Sequence, residues 1–410
     1  MNSLLVIFVI LQDTLFLDFE KFWGIVKDNN PEYKIYLYEK KYYKSSFWGN
    51  FFEVLPQFNL SYSENRTDET NFYASASFSM TQIVFSNLKF SNLLDNYYNL
   101  KMQNLNYKIK LKDLYLKALF TYLNFLKKRE NLKFWEKVEE EAEKNFSLYK
   151  KKYELNLISR LDYLNAKYDY EDKKLKYLEA YSDFEISKKD LLAMMGYNRE
   201  VELKVKDLKI EFEDVEKVPC FIEGRDEYVF QKCKEKQGKI SLLSSIFSFL
   251  PDLKFGYYID YYSSDKSRFY SNFPSNIFNE GAKEKGFFVT LNFNLTSYPF
   301  DVLKKNYLEK KYKSEVKKVY FDLKLEYEKT LRDWVNLKRK YDILKDKREI
   351  SLEAVKLAKK RYELGQISFI DYLKIEENYL KTEVEWISLY YDMIYTYKKL
   401  LFIVGKEEVE

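Results

Sequence analysis

The sequence contains no histidine. That removes the most common general base and the most common metal ligand, and with them most hydrolase and metalloenzyme mechanisms. Glycine and proline are scarce, 10 and 6 in 410 residues, so turns are few and the elements between them are long. Only two cysteines occur, Cys220 and Cys233, spaced too widely for a CxxC motif. They are open to a single bridge in an oxidising compartment or to two separate thiols. No apolar run reaches the roughly 18 residues that a membrane-spanning helix needs, so none is expected. An excess of one charge is missing too: 69 basic and 64 acidic residues are interspersed and leave +5. This describes solvated helix faces rather than a nucleic-acid surface. No nucleophile–base pair, glycine-rich phosphate loop or ligand cluster stands out, so the expectation is a non-enzyme with no cofactor and no metal.

What the chain does have is aromatic residues, 39 Tyr and 33 Phe, and a repeat. Lys151–Gly196 aligns with Lys360–Gly405 at a constant offset of 209, without a gap, with 16 identities in 46 pairs. A repeat of this length means two copies of one structural unit, and function is to be sought in what they build together. The start, residues 1–12, holds eight apolar residues from Leu4 to Leu11 and reads as a secretory-signal-like leader, although it lacks a basic n-region and an A-x-A site; the alternative is a buried strand. A first repeat then spans 13–197, a charged linker 198–224, and a second repeat 225–410.

Each repeat carries a strand pair, the first over 55–81 and the second over 251–296. Phe58, Leu60 and Tyr62 alternate with Gln57, Asn59 and Ser61; a polar turn, Glu64 to Asn71, follows, and then Ala74, Ala76, Phe78 and Met80 alternate with Ser and Thr. In the second half, Leu253, Phe255, Tyr257, Ile259 and Tyr261 form one apolar row. Val289, Leu291, Phe293 and Leu295 form another, across a longer turn from Ser263 to Gly286. Strands of about ten residues with one apolar-aromatic face and one Ser/Thr/Asn face fit a transmembrane barrel between lipid and a watery lumen. Phe58, Leu60, Phe78, Phe255, Tyr257, Leu291 and Phe293 are then the lipid-facing residues. Four strands are too few to close a barrel alone, so closure needs several chains.

The remainder reads as helix. Short helices are expected over 17–27 and 31–45, broken at Asn29-Asn30-Pro31, where the residue before proline disfavours helix and Pro31 suits the first helical position. Ser86–Tyr153 and Leu303–Tyr362 predict helices roughly 100 and 90 Å long. The helices after them, Arg160–Met195 and Phe369–Val404, are shorter. Glu227–Phe247 stacked on the first and Pro31–Ser45 on the second would make up the difference.

Between the long helices of each repeat lies Tyr-Glu-Leu-x-x-Ile-Ser followed by Asp-Tyr-Leu, with tips at 156–159 and 365–368. Asn156 and Gly365 suit a left-handed helix stop, while Ser159 and Ser368 suit the next N-cap, with Asp162 and Asp371 in the first turn at the positive helix end. At this point the chain resembles the TolC-like outer-membrane efflux family, the outer-membrane factors. The resemblance spans nearly the whole length. It rests on Asn29-Asn30-Pro31-Glu32, the Leu55-Pro56 and Leu250-Pro251 hairpin starts, the two tips, and the Leu-x-x-x-x-Gly endings at Gly196 and Gly405.

The resemblance implies a mainly α fold with a small β part: long antiparallel helical hairpins forming a periplasmic α-barrel, and four strands per chain contributing to a 12-stranded outer-membrane barrel of a homotrimer. It implies a passive exit duct fed by an inner-membrane transporter through a periplasmic adaptor, which docks at Asn156, Leu157, Ser159, Gly365, Gln366 and Ser368. It also implies that Asp162 and Tyr362 belong to the network holding the tip shut and that Asp371 lines an acidic constriction. The family's basic gate partner falls at Ile367 and a second acidic position at Lys374, so either aromatic packing or a Lys374–Asp371 pair replaces the salt-bridged latch. The competing reading is a soluble coiled-coil scaffold or adaptor without a membrane barrel.

Overall fold

The computed structural model describes residues 14–68, 71–198, 201–208, 210–213, 220–263, 284–293 and 298–407. The leader lies outside these residues, as do most of the long turn of the second hairpin and Leu295. The described elements are β1 (Thr14–Leu17), α1 (Phe19–Asn29), α2 (Pro31–Phe52), β2 (Gln57–Asp68), β3 (Asn71–Phe85), α3 (Asn87–Glu154), α4 (Arg160–Met194) and β4 (Glu202–Val205). They continue with α5 (Asp226–Ile246), β5 (Asp252–Ser263), β6 (Glu284–Asn292), α6 (Tyr298–Glu363) and α7 (Phe369–Ile403). The chain divides into two compact units. One holds residues 1–37, 109–225 and 322–410, the other 38–108 and 226–321, so each draws on both sequence repeats.

Helix α3 runs for 68 residues, about 100 Å at the standard rise, because no glycine or proline interrupts it. In the first unit the helices pack along seams that recur every seven residues. On α4 the seam is Ala166, Lys173, Ala180 and Ser187, all buried; on α6 it includes Leu323, Thr330 and Ala358. A strict seven-residue repeat keeps one face of a helix against its neighbours in coiled-coil fashion. Ionic and aromatic contacts cross these seams: Lys128 Nζ to Asp183 at 2.5 Å between α3 and α4, and Lys127 Nζ to Asp392 at 3.2 Å between α3 and α7. Arg348 of α6 grips the buried Glu383 of α7 with two bonds of 2.6 and 2.8 Å.

The break at Asn29-Asn30-Pro31 falls where the sequence places it. Asn30 caps α2 by accepting from the Glu32 amide at 2.8 Å, and its Nδ2 donates to the Met194 carbonyl at 2.8 Å. The start of α2 therefore abuts the end of α4. This corrects the expected stacking, which put α2 on the later helix and α5 on α4. At the end of α7, the Cys220 thiol, six residues before α5, donates to the Ile403 carbonyl at 3.5 Å. Neither cysteine is in a disulfide.

Sequence periodicity missed β1 and β4. They form a two-stranded parallel sheet, Thr14 with Glu202 through Leu17 with Val205, inside what reads as leader boundary and charged linker. The sheet is tied to α3 by Tyr122, whose hydroxyl donates to the Lys206 carbonyl at 2.7 Å, and by Arg129, which donates to the Val205 carbonyl at 2.5 Å and pairs with Asp207. Further along the linker, Phe212 packs on Trp334 and Tyr397, and the Glu213 amide donates to the Tyr397 hydroxyl at 3.0 Å.

In the second unit, β2, β3, β5 and β6 form one antiparallel sheet in that order. Strands β2 and β3 run 12 and 15 residues, further than the alternation suggests. The polar stretch expected as a turn is mostly paired strand, with Asp68 opposite Asn71. Strand β6 begins at Glu284 and ends at Asn292, so Phe293 lies just beyond it rather than within it.

Candidate functional site

The register of the sheet decides which side chains share a face, because directly paired residues of antiparallel strands point the same way. Leu60 pairs with Phe78, Phe78 with Ile259, Met80 with Tyr257, Tyr257 with Phe287, and Phe255 with Val289. One face is therefore mainly apolar across all four strands and contains Phe58, Leu60, Phe78, Phe255, Tyr257 and Leu291, with Gln82 opposite Phe255 and Lys285 opposite Ile259 among its polar members toward the ends. Of the residues expected to share it, only Phe293 stands apart, after the strand end. Phe287, which the sequence pattern missed by placing the strand too late, belongs to this face and stacks on Phe255 and Tyr257 at 5.7 and 5.0 Å. Leu60 and Phe287 are 70% and 71% exposed. The opposite face pairs Ser61 with Ser77, Ser63 with Ser75 and Asn59 with Ser79, and the Ser63 and Ser75 hydroxyls bond at 2.8 Å. Its apolar members include Ile83, opposite Lys254, and Phe288, which lies over Gly256, where an added Cβ would come within 2.3 Å of the ring.

The two hairpin tips, both in the first unit, are built alike. After α3, Asn156 takes φ 57°, and the amides of Asn156 and Leu157 donate back to Tyr153 and Lys152 at 2.9 and 2.8 Å. After α6, Gly365 takes φ 71°, and the Gly365 and Gln366 amides bond to Tyr362 and Arg361 at the same distances. These paired hydrogen bonds satisfy carbonyls that a helix end leaves open. Ser159 and Ser368 then cap α4 and α7, each accepting an amide bond of 3.1 Å from Asp162 or Asp371 and donating to that carboxylate at 2.7 Å. Asn156, Leu157, Ser159, Gly365, Gln366 and Ser368 are all exposed. Nothing lies within 4 Å of a Cβ built on Gly365, so its left-handed backbone alone excludes branched residues. Gly365→Val is expected to weaken this tip by about 1–2 kcal/mol, read as faster hydrogen exchange confined to the tip amides; unchanged exchange would show that another stop serves as well.

Tyr362 faces the interior of the chain. Its hydroxyl bonds to that of Tyr149, and its ring lies 5.4 Å from Phe369 and 5.9 Å from Tyr372. Tyr149, Ala166, Ala358, Phe369 and Tyr372 form one buried cluster joining α3, α4, α6 and α7. Burial, then the Tyr362 hydroxyl, pushes the Tyr149 phenol well above the usual tyrosine range. Tyr362 is therefore held by aromatic packing within the chain. Lys374 is exposed, and within the chain Asp371 accepts a bond from its own capping serine rather than an ion pair from Lys374.

Behind this cluster sits an ion network that sequence reasoning overlooked. Lys173 of α4 is 7% exposed, pairs with Asp169 at 3.0 Å and makes a closer pair with Glu376 of α7, which accepts a 2.7 Å bond from the Tyr372 hydroxyl. Burial works against the charge on Lys173, but Glu376 and Asp169 outweigh it and hold the ammonium above the usual lysine range. The one available signal was its place in the seven-residue seam, where every other member is small.

Among solved structures, the chain superposes on the Campylobacter jejuni CmeC outer membrane channel with a TM-score of 0.83 at 16% identity, over 94% of this chain and 85% of that one. It superposes on the outer membrane protein VceC of Vibrio cholerae at 0.78 with 12% identity, over 94% and 96% of the two chains. For the open state of the Neisseria gonorrhoeae MtrE outer membrane channel the values are 0.77 and 15%, over 94% and 88%. No protein-family model and no curated protein sequence matches the chain. At such identities the likeness is one of fold, and it covers nearly the whole of each chain. The protein has the fold of the TolC-like outer-membrane channels, mainly helical with a small β part, as its motifs imply.

Proposed function

We propose that the protein is the outer-membrane channel of a tripartite efflux or secretion system, a passive exit duct with no catalytic step. The observation that carries this reading is the four-stranded sheet. It has one mainly apolar face that spans all four strands, one face rich in hydroxyl and amide side chains, and outer edges at β2 and β6 that no described strand pairs. Strands β2 and β6 run in opposite directions, so β6 of one copy can continue antiparallel onto β2 of the next. Three copies would give a closed barrel with the even strand count such barrels use, and closure removes edges that would otherwise be left unsatisfied in lipid. A soluble scaffold would leave the apolar face bare to water.

In this reading the exposed tip residues dock a periplasmic adaptor, which links the duct to an inner-membrane transporter. Gly365→Val should weaken adaptor capture by the purified protein while its oligomer persists; loss of the oligomer instead would make the tip a folding element only. Three-fold symmetry would gather copies of Asp371, and of Asp162, about a narrow axis. Clustered carboxylates attract cations. Planar-bilayer recordings of the purified oligomer should therefore show a cation-selective pore, blocked by multivalent cations more strongly at low salt than at high salt. Asp371→Asn should weaken that block. Unchanged block would remove Asp371 from the constriction, and an oligomer that forms no pores at all would overturn the duct.

A further inference from the structure

The small parallel sheet of the first unit borders a cleft of about 590 Å³ that an exit duct leaves without a role. Phe16, Leu17, Leu203 and Val205 give it an apolar wall, and Lys21, Arg129, Lys204 and Lys206 give it a cationic rim, with Asp18 as its one acidic lining residue. Two of these charges are already engaged. Arg129 is held by Asp207, Glu130 and the Val205 carbonyl, and Asp18 caps α1 by accepting the Lys21 amide at 2.9 Å. The three lysines are exposed, and among the described residues none of them has a carboxylate within ion-pair distance.

The strand beside this cleft has a bare edge. The Lys206 amide donates to the Leu17 carbonyl at 2.8 Å, so Leu17 turns its backbone groups toward β4. Successive residues of a strand turn opposite ways, and Phe16 therefore points its amide and carbonyl outward. Among the described residues nothing bonds to either group. The cations stand over the same strand. Phe16 pairs with Lys204, whose Nζ lies 5.4 Å from the centre of the Phe16 ring. An ammonium resting on a ring keeps N–H donors for an anion. Lys206, two residues beyond Lys204, falls on the same face.

We propose that this cleft binds an extended acidic segment of a partner protein, laid along the outer edge of β1 as a third strand with carboxylates at alternate positions. Main-chain bonds to Phe16 hold the strand whatever its sequence, and the lysines select its side chains. Alternation follows from the pleat: only residues two apart share a face, so only carboxylates at i and i+2 meet the Lys204 and Lys206 side together. The occupant is a polypeptide because the cleft offers an unpaired amide and carbonyl beside its charge, and a lipid headgroup or a free anion can match the charge alone. The cleft lies beyond the duct reading and does not depend on it.

The test uses full-length protein in detergent and fluorescently labelled peptides read by anisotropy. The peptide Thr-Val-Glu-Val-Glu-Val-Thr should bind about tenfold more tightly at low salt than its Gln counterpart, as two added charge pairs allow, and the gap should close as salt rises. An isomer with its two glutamates adjacent should bind like the Gln peptide. Lys21→Glu with Lys204→Glu should abolish the preference without loss of helical signal, since both positions are exposed. N-methylation of one alternate set of peptide amides should abolish binding, whereas methylation of the other set should be tolerated, because an added strand uses one edge only. Equal binding of the three peptides, tolerance of both methylated sets, binding unchanged by the two lysine replacements, or equal displacement of the peptide by phosphatidylglycerol in mixed micelles would each overturn the proposal. Bilayer conductance of the same double variant reads the duct separately: pores without peptide binding refute the cleft alone, and peptide binding without pores refutes the duct alone.

Discussion

Phe78→Arg should keep the protein out of the membrane. Phe78 sits in the middle of the apolar face, paired with Leu60 on one side and Ile259 on the other. An arginine facing lipid near the bilayer midplane costs about 2–4 kcal/mol, and symmetry would repeat that cost in every copy of a closed barrel. The expected result is loss of the heat-modifiable oligomer from outer-membrane fractions. Ser77→Arg, one residue away but on the face with Ser61 and Asp260, should insert normally and change only conductance. Equal tolerance of the two changes would mean that the apolar face meets no lipid, and the barrel would be lost as an explanation. Phe287→Arg extends the test to β6, on a residue that only the observed register assigns to this face.

The second large effect is expected at Lys173. Replacing it with methionine keeps much of the volume but strips the partner from Glu376 and Asp169, both poorly exposed carboxylates. Removing one member of a buried pair costs about 3–5 kcal/mol, because the remaining charge is left uncompensated. The pH dependence separates this from a packing defect. In the native protein Lys173 is raised above its ordinary range by Glu376 and Asp169 against the effect of burial. Its contribution is therefore complete below the unfolded lysine pKa, about 10.4, and is lost only as pH rises through the higher folded value. In the native protein burial lifts Asp169 while Lys173 works against that rise; in the Lys173→Met protein the opposing cation is gone. A carboxylate with a raised folded pKa contributes stability below its ordinary range that is lost as pH rises through the raised value. Thermal melts of the variant should accordingly fall more steeply between about pH 5 and pH 7 than those of the native protein, in which Lys173 works against the rise at Asp169. Parallel behaviour of the two would reduce Lys173 to a filler of the seam.

The elements with a local signature were legible. The αα-hairpin tips could be read because Gly365 needs its left-handed backbone, Ser368 needs its amide partner, and the repeat shows the same arrangement at Asn156 and Ser159. The apolar face of the sheet was legible from alternation alone as far as the strands were long. Its limits were not: the alternation runs on through Phe293, whereas the strand ends at Asn292 and includes Phe287. Alternation gives parity but not position, and only pairing with β5 sets where β6 begins. The four-residue strands β1 and β4 were invisible for a related reason. Four residues carry no readable period, and their partner lies more than 180 positions away.

Composition, periodicity and the repeat determine a chain of long helices, two hairpins and two matched tips, since each follows from backbone preferences and spacing within a few turns. The tertiary structure alone decides which pieces meet. It places α2 against α4 through Asn30 and Met194, puts Tyr362 on Tyr149 instead of leaving Lys374 to pair with Asp371, and turns Lys173 from one lysine among many into a buried cation. A charged residue in a charge-rich helix looks solvated until the neighbouring helix arrives, because burial and pairing are properties of two surfaces in contact and no single segment encodes its partner.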